Sequence, residues 1–245
     1  IIIDEKNQAK AEEKIIQVCK KYNIDLIIID NYSINYEYEK KLKEIKPNLS
    51  IFVLDDTYER HYCDILLNHN VSANVKKYIN LVPTNCEIRC GKRYTLLRNE
   101  FLKEKKRKQR RTKKNKLNIF VCFGGVDPQN MNSKLLKIIK FKKNLNLNIV
   151  TTSSNLNLIN LKRIVYLNKK NVTMHIDCNN IAKIINNADL AIVSPSVVVN
   201  EVLFMKKRVI AIKNANNQND MFNYLKKNRF NVFSSFNISK LRKIL

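Results

Sequence analysis

The residues with the clearest chemical potential lie near the C-terminal end of the chain. A short apolar run, residues 190–193, is followed by a small polar turn that contains Ser196, and then by a helical stretch whose first turns carry Asn200 and Glu201. The free N–H groups and the positive dipole end of a helix that begins at such a turn can bind phosphate. A carboxylate one or two turns into the helix can accept hydrogen bonds from ribose hydroxyls. The same pattern also fits an ordinary strand–helix–strand unit with a capped helix.

Other polar clusters follow the remaining apolar runs of the C-terminal half. Gly124 and Gly125 come directly after the run 117–123, where a glycine pair lets the backbone turn tightly and approach a ligand. Such a pair also occurs in ordinary turns. The other members of this set are Thr152, Ser153, Ser154 and Asn155 after the run 149–150, and Asn217 and Gln218 in the loop after the run 209–212. Because parallel strands end at one edge of a sheet, we expect all these clusters to face the same cleft.

The N-terminal half alternates between helix and strand patterns. Apolar residues recur at helical spacing in residues 8–22 and 37–45. Residues 25–30, 51–56 and 64–67 are short apolar runs flanked by carboxylates, which suits strands buried on both faces of a parallel sheet. This alternation predicts an α/β fold.

The polar residues that end these strands are candidates for the rim of a ligand site. Asp30 and Tyr32 follow the first predicted strand, and Asp55 closes the second. Ligands of parallel sheets bind beyond the carboxyl ends of the strands, where these three residues are expected to lie.

A strongly basic segment, residues 103–116, marks the expected domain boundary. It contains no apolar residue, so it cannot pack into a core and must be solvated. The sequence therefore predicts an N-terminal Rossmann-like domain at 1–102, a basic linker at 103–116 and a C-terminal Rossmann-like domain at 117–245. Contact of the basic segment with nucleic acid or an acidic surface is the alternative interpretation.

Composition narrows the class of protein. A chain of 245 residues with 44% hydrophobic residues is long enough for two modest domains. The formal net charge of +25 favours attraction to polyanions. However, Lys, Asn and Ile are abundant throughout while Gly, Pro and Trp are scarce, a bias typical of an AT-rich genome. The charge therefore predicts no specific nucleic-acid function.

The cysteines predict neither a zinc site nor a disulfide framework. All six are scattered, and no second pair or nearby histidine completes a zinc site around Cys86 and Cys90. They are interpreted as free thiols in a reducing cytoplasm. No apolar run approaches the roughly 18 residues that cross a bilayer, so no membrane partner is predicted.

Several segments, in this order along the chain, resemble the UDP-sugar hydrolases of pseudaminic acid biosynthesis, the PseG family. The most specific is I-R-C-G-x-x-Y-x-L-L-R-x-E-F at 88–101, whereas C-F-G-G-V-D at 122–127 and V-N-E at 199–201 are shared more widely among nucleotide-sugar enzymes. The other matching segments are L-I-I-I-D-N-Y (26–32), L-D-D (54–56), H-Y-C-D-I-L-L-N (61–68), T-S-S-N (152–155), N-I-A-K (180–183) and N-Q (217–218).

The resemblance implies a GT-B-like fold, in which two Rossmann-like domains with parallel sheets face a cleft. It implies hydrolysis of UDP-2,4-diacetamido-2,4,6-trideoxy-β-L-altropyranose to the free sugar and UDP, with inversion at the anomeric carbon. No metal or cofactor is implied. The expected partner is therefore the UDP-sugar substrate alone, bound by a monomer.

The matched motifs also imply roles for individual residues. In the first domain, Tyr32 is expected at the substrate as a catalytic residue, with Asp30 and Asp55 supporting that rim. In the second domain, the expected substrate-binding residues are Gly124 and Gly125 against the phosphates, Ser196 at the pyrophosphate, Glu201 at the ribose with Asn200 beside it, Thr152, Ser153, Ser154 and Asn155 around the uridine, and Asn217 and Gln218 toward the sugar-phosphate end. Asn217 is the second catalytic candidate.

One element of the family pattern is missing. Family members open with a strand and a Gly-x-Gly-His loop whose histidine is taken to be the general base, and none of His61, His69 and His175 follows a glycine loop. His61 is interpreted as a satisfied core or surface histidine. The chain also begins I-I-I-D without a methionine. We therefore expect a fragment with an incomplete first domain, whose base lies upstream.

Two other functions stay open at this point. A GT-B glycosyltransferase or epimerase acting on another UDP-sugar would share the fold and the nucleotide site. A binding module, in which the basic segment engages nucleic acid or an acidic partner, would show an affinity that falls steeply with salt.

Overall fold

The chain folds into two compact units, Ile1–Leu96 and Leu97–Leu245. The structure is a computed structural model, and it describes residues 8–107, 116–139 and 144–244. Each unit contains its own parallel sheet, which confirms the predicted α/β class. Within these ranges no helix is both long enough and apolar enough to cross a membrane.

The first unit is built on a four-stranded parallel sheet. Its strands, in spatial order, are β1 (Leu26–Ile29), β2 (Ser50–Leu54), β3 (Ile65–Asn68) and β4 (Glu87–Cys90). The helices of this unit are α1 (Gln8–Lys21) and α2 (Tyr36–Ile45), with 3-10 turns at Val75–Tyr78 and Lys92–Tyr94. The three predicted strands are therefore confirmed, with bounds that shift by one or two residues.

A carboxylate explains where β2 ends. The predicted strand extended through residue 56, but β2 stops at Leu54. The Asp55 side chain folds back and accepts hydrogen bonds from the backbone N–H groups of Thr57 and Tyr58, at 3.0 and 2.9 Å. These bonds turn the chain away from the sheet, as short acidic side chains often do after a strand.

A buried network of charged groups ties α2 to the segment that leads into β3. The side chain of Glu39 is fully buried, with Oε1 2.8 Å from Nδ1 of His61, while Oε2 accepts the N–H of Tyr62 at 2.6 Å. On the other side of the ring, Nε2 of His61 lies 3.9 Å from Oδ1 of Asp55. The second oxygen of Asp55 accepts the hydroxyl of Tyr78 at 2.6 Å. His61 is therefore a core histidine, of which Nδ1 is hydrogen-bonded and Nε2 is not, among the residues that the structure describes.

The two carboxylates decide the charge of His61. Burial lowers the pKa of the imidazole, but the neighbouring carboxylates of Asp55 and Glu39 outweigh it, raising the pKa to about 9. Burial likewise raises the pKa of Asp55, yet the nearby imidazole of His61 and the hydrogen bonds from Tyr78 and Thr57 hold it well below its usual range. At neutral pH the network therefore contains a protonated imidazole between two carboxylates.

The second unit is a doubly wound fold around a six-stranded parallel sheet. Its spatial order, β7-β6-β5-β8-β9-β10, is that of a Rossmann fold. The strands are β5 (Leu117–Cys122), β6 (Leu145–Thr151), β7 (Val172–Ile176), β8 (Leu190–Val193), β9 (Arg208–Ile212) and β10 (Asn231–Phe233). The helices are α3 (Asn99–Lys105), α4 (Met131–Ile139), α5 (Leu158–Leu167), α6 (Ile181–Asn187), α7 (Val198–Phe204), α8 (Asn219–Lys227) and α9 (Ile238–Ile244), with a 3-10 turn at Asn216–Gln218.

The central strands of this sheet are buried on both faces. Ile119, Phe120 and Val121 are consecutive residues of β5, and each is 0% exposed. Since successive side chains of a strand point to opposite faces, helices must cover both sides of the sheet. This explains why the strands read as continuous apolar runs in the sequence.

The basic segment is only partly described. Lys103 and Lys105 belong to α3, which packs against α6, where the amide of Asn186 donates to the backbone and side-chain oxygens of Glu104 at 3.3 and 3.1 Å. Residues 108–115 lie outside the described residues. The predicted linker at 103–116 therefore stays a prediction, while α3 itself belongs to the second unit.

The buried network leads to a prediction about stability. Replacing Glu39→Gln removes one partner of a buried ion pair, which typically lowers the free energy of unfolding by about 3 kcal/mol. The pKa of His61 in the folded chain is raised to about 9. The protonated imidazole therefore stabilises the fold fully below the pKa of His61 in the unfolded chain, and this stabilisation is lost as the pH rises through about 9. Urea unfolding should therefore show a larger deficit for the variant at about pH 6 than at about pH 10.

The matched control for this measurement is Glu44→Gln, because Glu44 lies on the same helix with an exposed side chain. It should change the free energy of unfolding by less than about 0.5 kcal/mol at either pH. An equal deficit for Glu39→Gln at both pH values would contradict a protonated, ion-paired His61.

Candidate functional site

The centre of the second sheet contains the switch point of the fold. From β5 the chain continues to β6 on one side, and from β8 it continues to β9 on the other. Doubly wound folds bind ligands at such a point, beyond the carboxyl ends of the strands. Gly124 and Gly125 follow β5 here, and the turn 194–196 follows β8. The N–H of Ser194 donates to the carbonyl of Cys122 at 3.1 Å, so the two predicted turns begin side by side.

The two glycines of the first turn do different things. Gly124 has φ +86°, a left-handed conformation that other residues rarely adopt, and a Cβ there would meet no atom within 4 Å. Space is therefore open beside its backbone. A Cβ on Gly125 would instead lie 2.8 Å from two side-chain atoms of Thr152. Gly125 thus allows the end of β6 to pack closely against the end of β5.

Asp127, to which the sequence analysis gave no role, closes the start of α4. Its carboxylate is 1% exposed and accepts the N–H groups of Met131 and Asn132 at 2.8 and 3.0 Å. The first two N–H groups of α4 are therefore bonded within the protein itself. The signal was visible in the sequence, because an Asp shortly before an apolar periodic stretch is a common helix cap.

The polar cluster after β6 divides into a buried residue and more accessible ones. Asn155 is 5% exposed, its amide donates to Oγ1 of Thr151 at 2.8 Å, and its oxygen accepts the N–H of Asn157 at 2.8 Å. Both ends of its side chain therefore hold the turn together. The side chains left at the surface are those of half-buried Thr152 and exposed Ser153 and Ser154.

The turn after β8 leaves one serine half-buried and buries the serine that precedes it. Ser194 is 1% exposed, with its hydroxyl 3.3 Å from that of Ser196, which is half-buried. The backbone carbonyl of Ser196 accepts the N–H of Val199 at 2.9 Å and starts the first turn of α7. Asn200 is 1% exposed, so its side chain lies inside the unit. Of the predicted pair in this turn and helix, Ser196 is accessible and Asn200 is not.

Glu201 is held by an arginine that the sequence analysis did not assign. Oε1 of Glu201 lies 3.1 Å from Nη2 of Arg98, whose Nη1 lies 2.9 Å from Oε1 of Glu100. Burial raises the pKa of Glu201, and the charge and hydrogen bond of Arg98 oppose that rise. Arg98 directly precedes α3, so the packing of α3 on the second unit brings this guanidinium to Glu201.

The loop after β9 is closed by an amide pair. The N–H of Asn214 donates to Oε1 of Gln218 at 2.9 Å, and Nε2 of Gln218 donates back to Oδ1 of Asn214 at 2.6 Å. Nε2 of Gln129 donates to the carbonyl of Asn214 at 2.6 Å, which ties this loop to the loop after β5. Gln218 therefore shapes the loop, while the neighbouring Asn217 is exposed.

The carboxyl edge of the first sheet presents a phenol and carboxylates. Tyr32 is 79% exposed and its hydroxyl donates to Oδ1 of Asp56 at 2.8 Å. That bond, with burial and the charges of Asp56, Asp30 and Asp55, raises the pKa of Tyr32 to about 12. Tyr32 is therefore a neutral hydrogen-bond donor at neutral pH. Asp30 is exposed beside it, whereas Asp55 is 6% exposed and belongs to the buried network.

The two remaining histidines differ in position. His69 directly follows β3, at the same carboxyl edge as Tyr32, and is half-buried. His175 lies within β7, with Nε2 3.1 Å from the side-chain oxygen of Asn148. Burial lowers the pKa of His175. Neither residue corresponds to the glycine-loop histidine described from the family pattern.

Comparison with known proteins by sequence identifies two relatives. The chain is 36% identical over 219 residues to the UDP-2,4-diacetamido-2,4,6-trideoxy-β-L-altropyranose hydrolase of Campylobacter jejuni, covering 89% of this chain and 77% of that protein. It is 31% identical over 222 residues to an uncharacterised protein of Methanocaldococcus jannaschii, of which it spans 45%. No family model matches the chain.

Solved structures share the fold at low sequence identity. A putative UDP-N-acetylglucosamine 2-epimerase of Listeria monocytogenes aligns with a TM-score of 0.63 and 9% identity, over 100% of this chain and 72% of that one. MurG of Acinetobacter baumannii aligns with a TM-score of 0.57 and 14% identity, over 96% of this chain and 67% of that one. These similarities confirm the GT-B-like class of fold and say nothing further about activity.

The contact between Gly125 and Thr152 gives a prediction about packing at the switch point. Gly125→Ala should lower the free energy of unfolding by about 1–3 kcal/mol, since the new methyl group overlaps the Thr152 side chain. In a Thr152→Ala background the overlapping atoms are gone, and the cost of Gly125→Ala should fall. A double-mutant cycle measured by urea unfolding gives the coupling between the two positions. Strictly additive effects would contradict the close approach of β5 and β6 at this edge.

Proposed function

This chain belongs to the family of the UDP-2,4-diacetamido-2,4,6-trideoxy-β-L-altropyranose hydrolase, and we propose that it releases UDP from a UDP-linked 2,4-diacetamido-2,4,6-trideoxyhexose. The observation that carries this proposal is the 36% identity to the Campylobacter hydrolase over 219 residues, a length that requires both units. The glycosyltransferase and epimerase structures share only the fold, so these alternative activities have less support. The pathway proposed for the reaction is pseudaminic acid biosynthesis.

The proposed UDP site is the carboxyl edge of the second sheet. The open space beside Gly124 and the accessible hydroxyl of Ser196 flank the switch point, which supports phosphate binding there. Because Asp127 already satisfies the start of α4, the diphosphate is proposed to use N–H groups of the two turns instead of that helix. Thr152, Ser153 and Ser154 are proposed to line the uridine pocket.

The remaining predicted residues receive narrower roles. Glu201 is proposed to accept ribose hydroxyls with the carboxylate oxygen that Arg98 does not engage. Asn217, which is exposed, is proposed to contact the sugar-phosphate end, whereas Gln218, Asn155 and Asn200 are proposed to position the loops around the ligand. This division follows from which side chains are already committed to bonds within the protein or are buried.

The proposed reaction is a single displacement at the anomeric carbon. A water oxygen attacks that carbon while a general base takes one of its protons, the bond to the diphosphate oxygen breaks, and UDP leaves with the electron pair, so the configuration inverts. Backbone N–H groups at the two turns would stabilise the charge that develops on the leaving diphosphate. Tyr32 would act as a neutral donor toward the substrate, since its pKa is raised to about 12. No metal takes part in this scheme, so EDTA should leave the rate unchanged.

The role of Glu201 can be tested by binding of UDP to the full chain. Glu201→Gln should weaken UDP binding by about tenfold, because a carboxylate that accepts ribose hydroxyls is replaced by a weaker acceptor. Isothermal titration with UDP and with 2′,3′-dideoxy-UDP separates this contact from the phosphate contacts. The wild-type chain should prefer UDP, and the variant should bind the two ligands almost equally.

Glu87→Gln is the matched control, because Glu87 also pairs with an arginine but lies in the first unit. It should leave both affinities unchanged. As the pH falls, Glu201 becomes protonated and UDP binding should weaken. Since burial raises the pKa of Glu201, this loss should begin at a higher pH than for an ordinary glutamate. Equal loss of UDP and dideoxy-UDP binding in Glu201→Gln would argue against the ribose contact.

The reaction itself is tested by its products. The protein should convert the UDP-sugar to UDP and the inverted free sugar with no acceptor, as followed by NMR of the anomeric proton. Dependence on an acceptor sugar would point to a transferase instead.

The cytoplasmic location and the monomeric state stay predictions.

A further inference from the structure

Two cysteines meet at the amino edge of the first sheet, where neither belongs to the candidate site. Cys63 lies two residues before β3, and Cys86 directly precedes β4, its parallel neighbour. Their sulfur atoms are 3.7 Å apart. Because the strands are parallel, this edge is opposite to the one that presents Asp30 and Tyr32.

One cysteine of the pair lines a cavity. Cys63 lines a cavity of about 300 Å³ together with Lys43, Pro47, Tyr62, Asp64, Pro83 and Asn85. Cys86 does not line this cavity, but it is only half-buried, whereas Cys63 is 3% exposed. A small polar reagent can therefore approach Cys86 at its partly exposed surface, while the surrounding chain keeps the two sulfur atoms together.

The two thiols share their protons unequally. The two sulfur atoms share one hydrogen bond in which either thiol can donate, and this contact lowers the pKa of Cys86 and raises that of Cys63. The nearby charge of His61 also lowers the pKa of Cys86. Burial raises the pKa of each of the other cysteines: Cys19, Cys90, Cys122 and Cys178. Cys86 is thus distinguished from the rest of the set as a nucleophile.

We propose that Cys63 and Cys86 form a reactive dithiol that hydrogen peroxide converts to a disulfide. The observation that carries the proposal is the 3.7 Å separation of two sulfur atoms, one on a half-buried residue and the other on a residue that lines a cavity. A side-chain rotation at one or both residues brings the sulfurs to the bonding distance of about 2.0 Å. The site lies within the first unit and does not depend on the proposed hydrolase activity.

The oxidation proceeds in two steps. The Cys86 thiolate attacks one peroxide oxygen, the O–O bond breaks, and hydroxide leaves, which gives a sulfenic acid on Cys86. The Cys63 sulfur then attacks the sulfenic sulfur, the S–O bond breaks, water leaves, and the S–S bond forms. In total the protein loses two electrons and two protons, and one peroxide molecule becomes two of water.

The disulfide would link the starts of two adjacent strands. It would close the segment from 63 to 86, which contains β3 and the turn Val75–Tyr78, into a covalent loop. Cross-links of this kind stabilise mainly by restricting the unfolded chain. The oxidised chain should therefore unfold at a higher temperature than the reduced chain, and a reductant should reverse the shift.

The test uses the full chain and hydrogen peroxide, with Cys86→Ser, Cys63→Ser and the matched control Cys90→Ser. Cys90 lies at the end of β4 and is also half-buried, but its pKa is raised by burial. In the wild type and in Cys90→Ser, the number of free thiols should fall by two, and peptide mapping should recover the 63–86 cross-link. The reduced wild-type chain has six free thiols before oxidation.

The single variants separate the two steps. Cys63→Ser should stop at the sulfenic acid of Cys86, which dimedone traps, and Cys86→Ser should form neither product at that position. Three results would overturn the proposal: no thiol loss in the folded wild type, a cross-link between other cysteines, or a persistent Cys86 sulfenic acid while Cys63 is intact. Thiol counts in denaturant beforehand verify that each protein starts fully reduced.

Discussion

Parallel pairing of β5 with β8 is the constraint on which the rest of the second unit depends. Once these strands are neighbours, the chain must leave them in opposite directions, and the turns after them begin side by side. Every accessible polar group of the candidate site in this unit follows from that geometry. The glycine pair, the serine turn and the β6 turn reach one edge because their strands run the same way.

The two units stabilise their charged groups by different means. In the first unit, Glu39, His61 and Asp55 form a buried sequence of alternating charges that links α2, the β2 loop and the segment before β3. In the second unit, Asp127 is paired with backbone N–H groups, and Glu201 with a partly exposed guanidinium. The first arrangement links a helix to two loop segments, whereas in the second Arg98 contacts only Oε1 of the Glu201 carboxylate.

Local pattern predicted most of the fold and part of the site. Strand β8 begins and ends where the apolar run 190–193 predicted, and Gly124 and Ser196 lie at the expected edge. The sequence pattern could not predict which of the polar side chains are buried. Asn155 and Gln218 are polar residues that follow strands, yet the side chains of both form hydrogen bonds within their own loops. The sequence does not distinguish the two roles, because an amide can close a turn or bind a ligand with the same donor and acceptor groups. Arg98 was missed because its partner is 103 residues away.

The packing of α3 on α6 changes where the second unit begins. By composition the boundary lies in the basic segment, but by contact it lies at Leu97, and Arg98 and Glu100 belong with Glu201. A second unit that was excised to start at residue 117 would lack Arg98, the counterion of Glu201. The segment from Leu97 to β5 therefore belongs to the second unit. A recombination point that keeps this unit intact lies before Leu97.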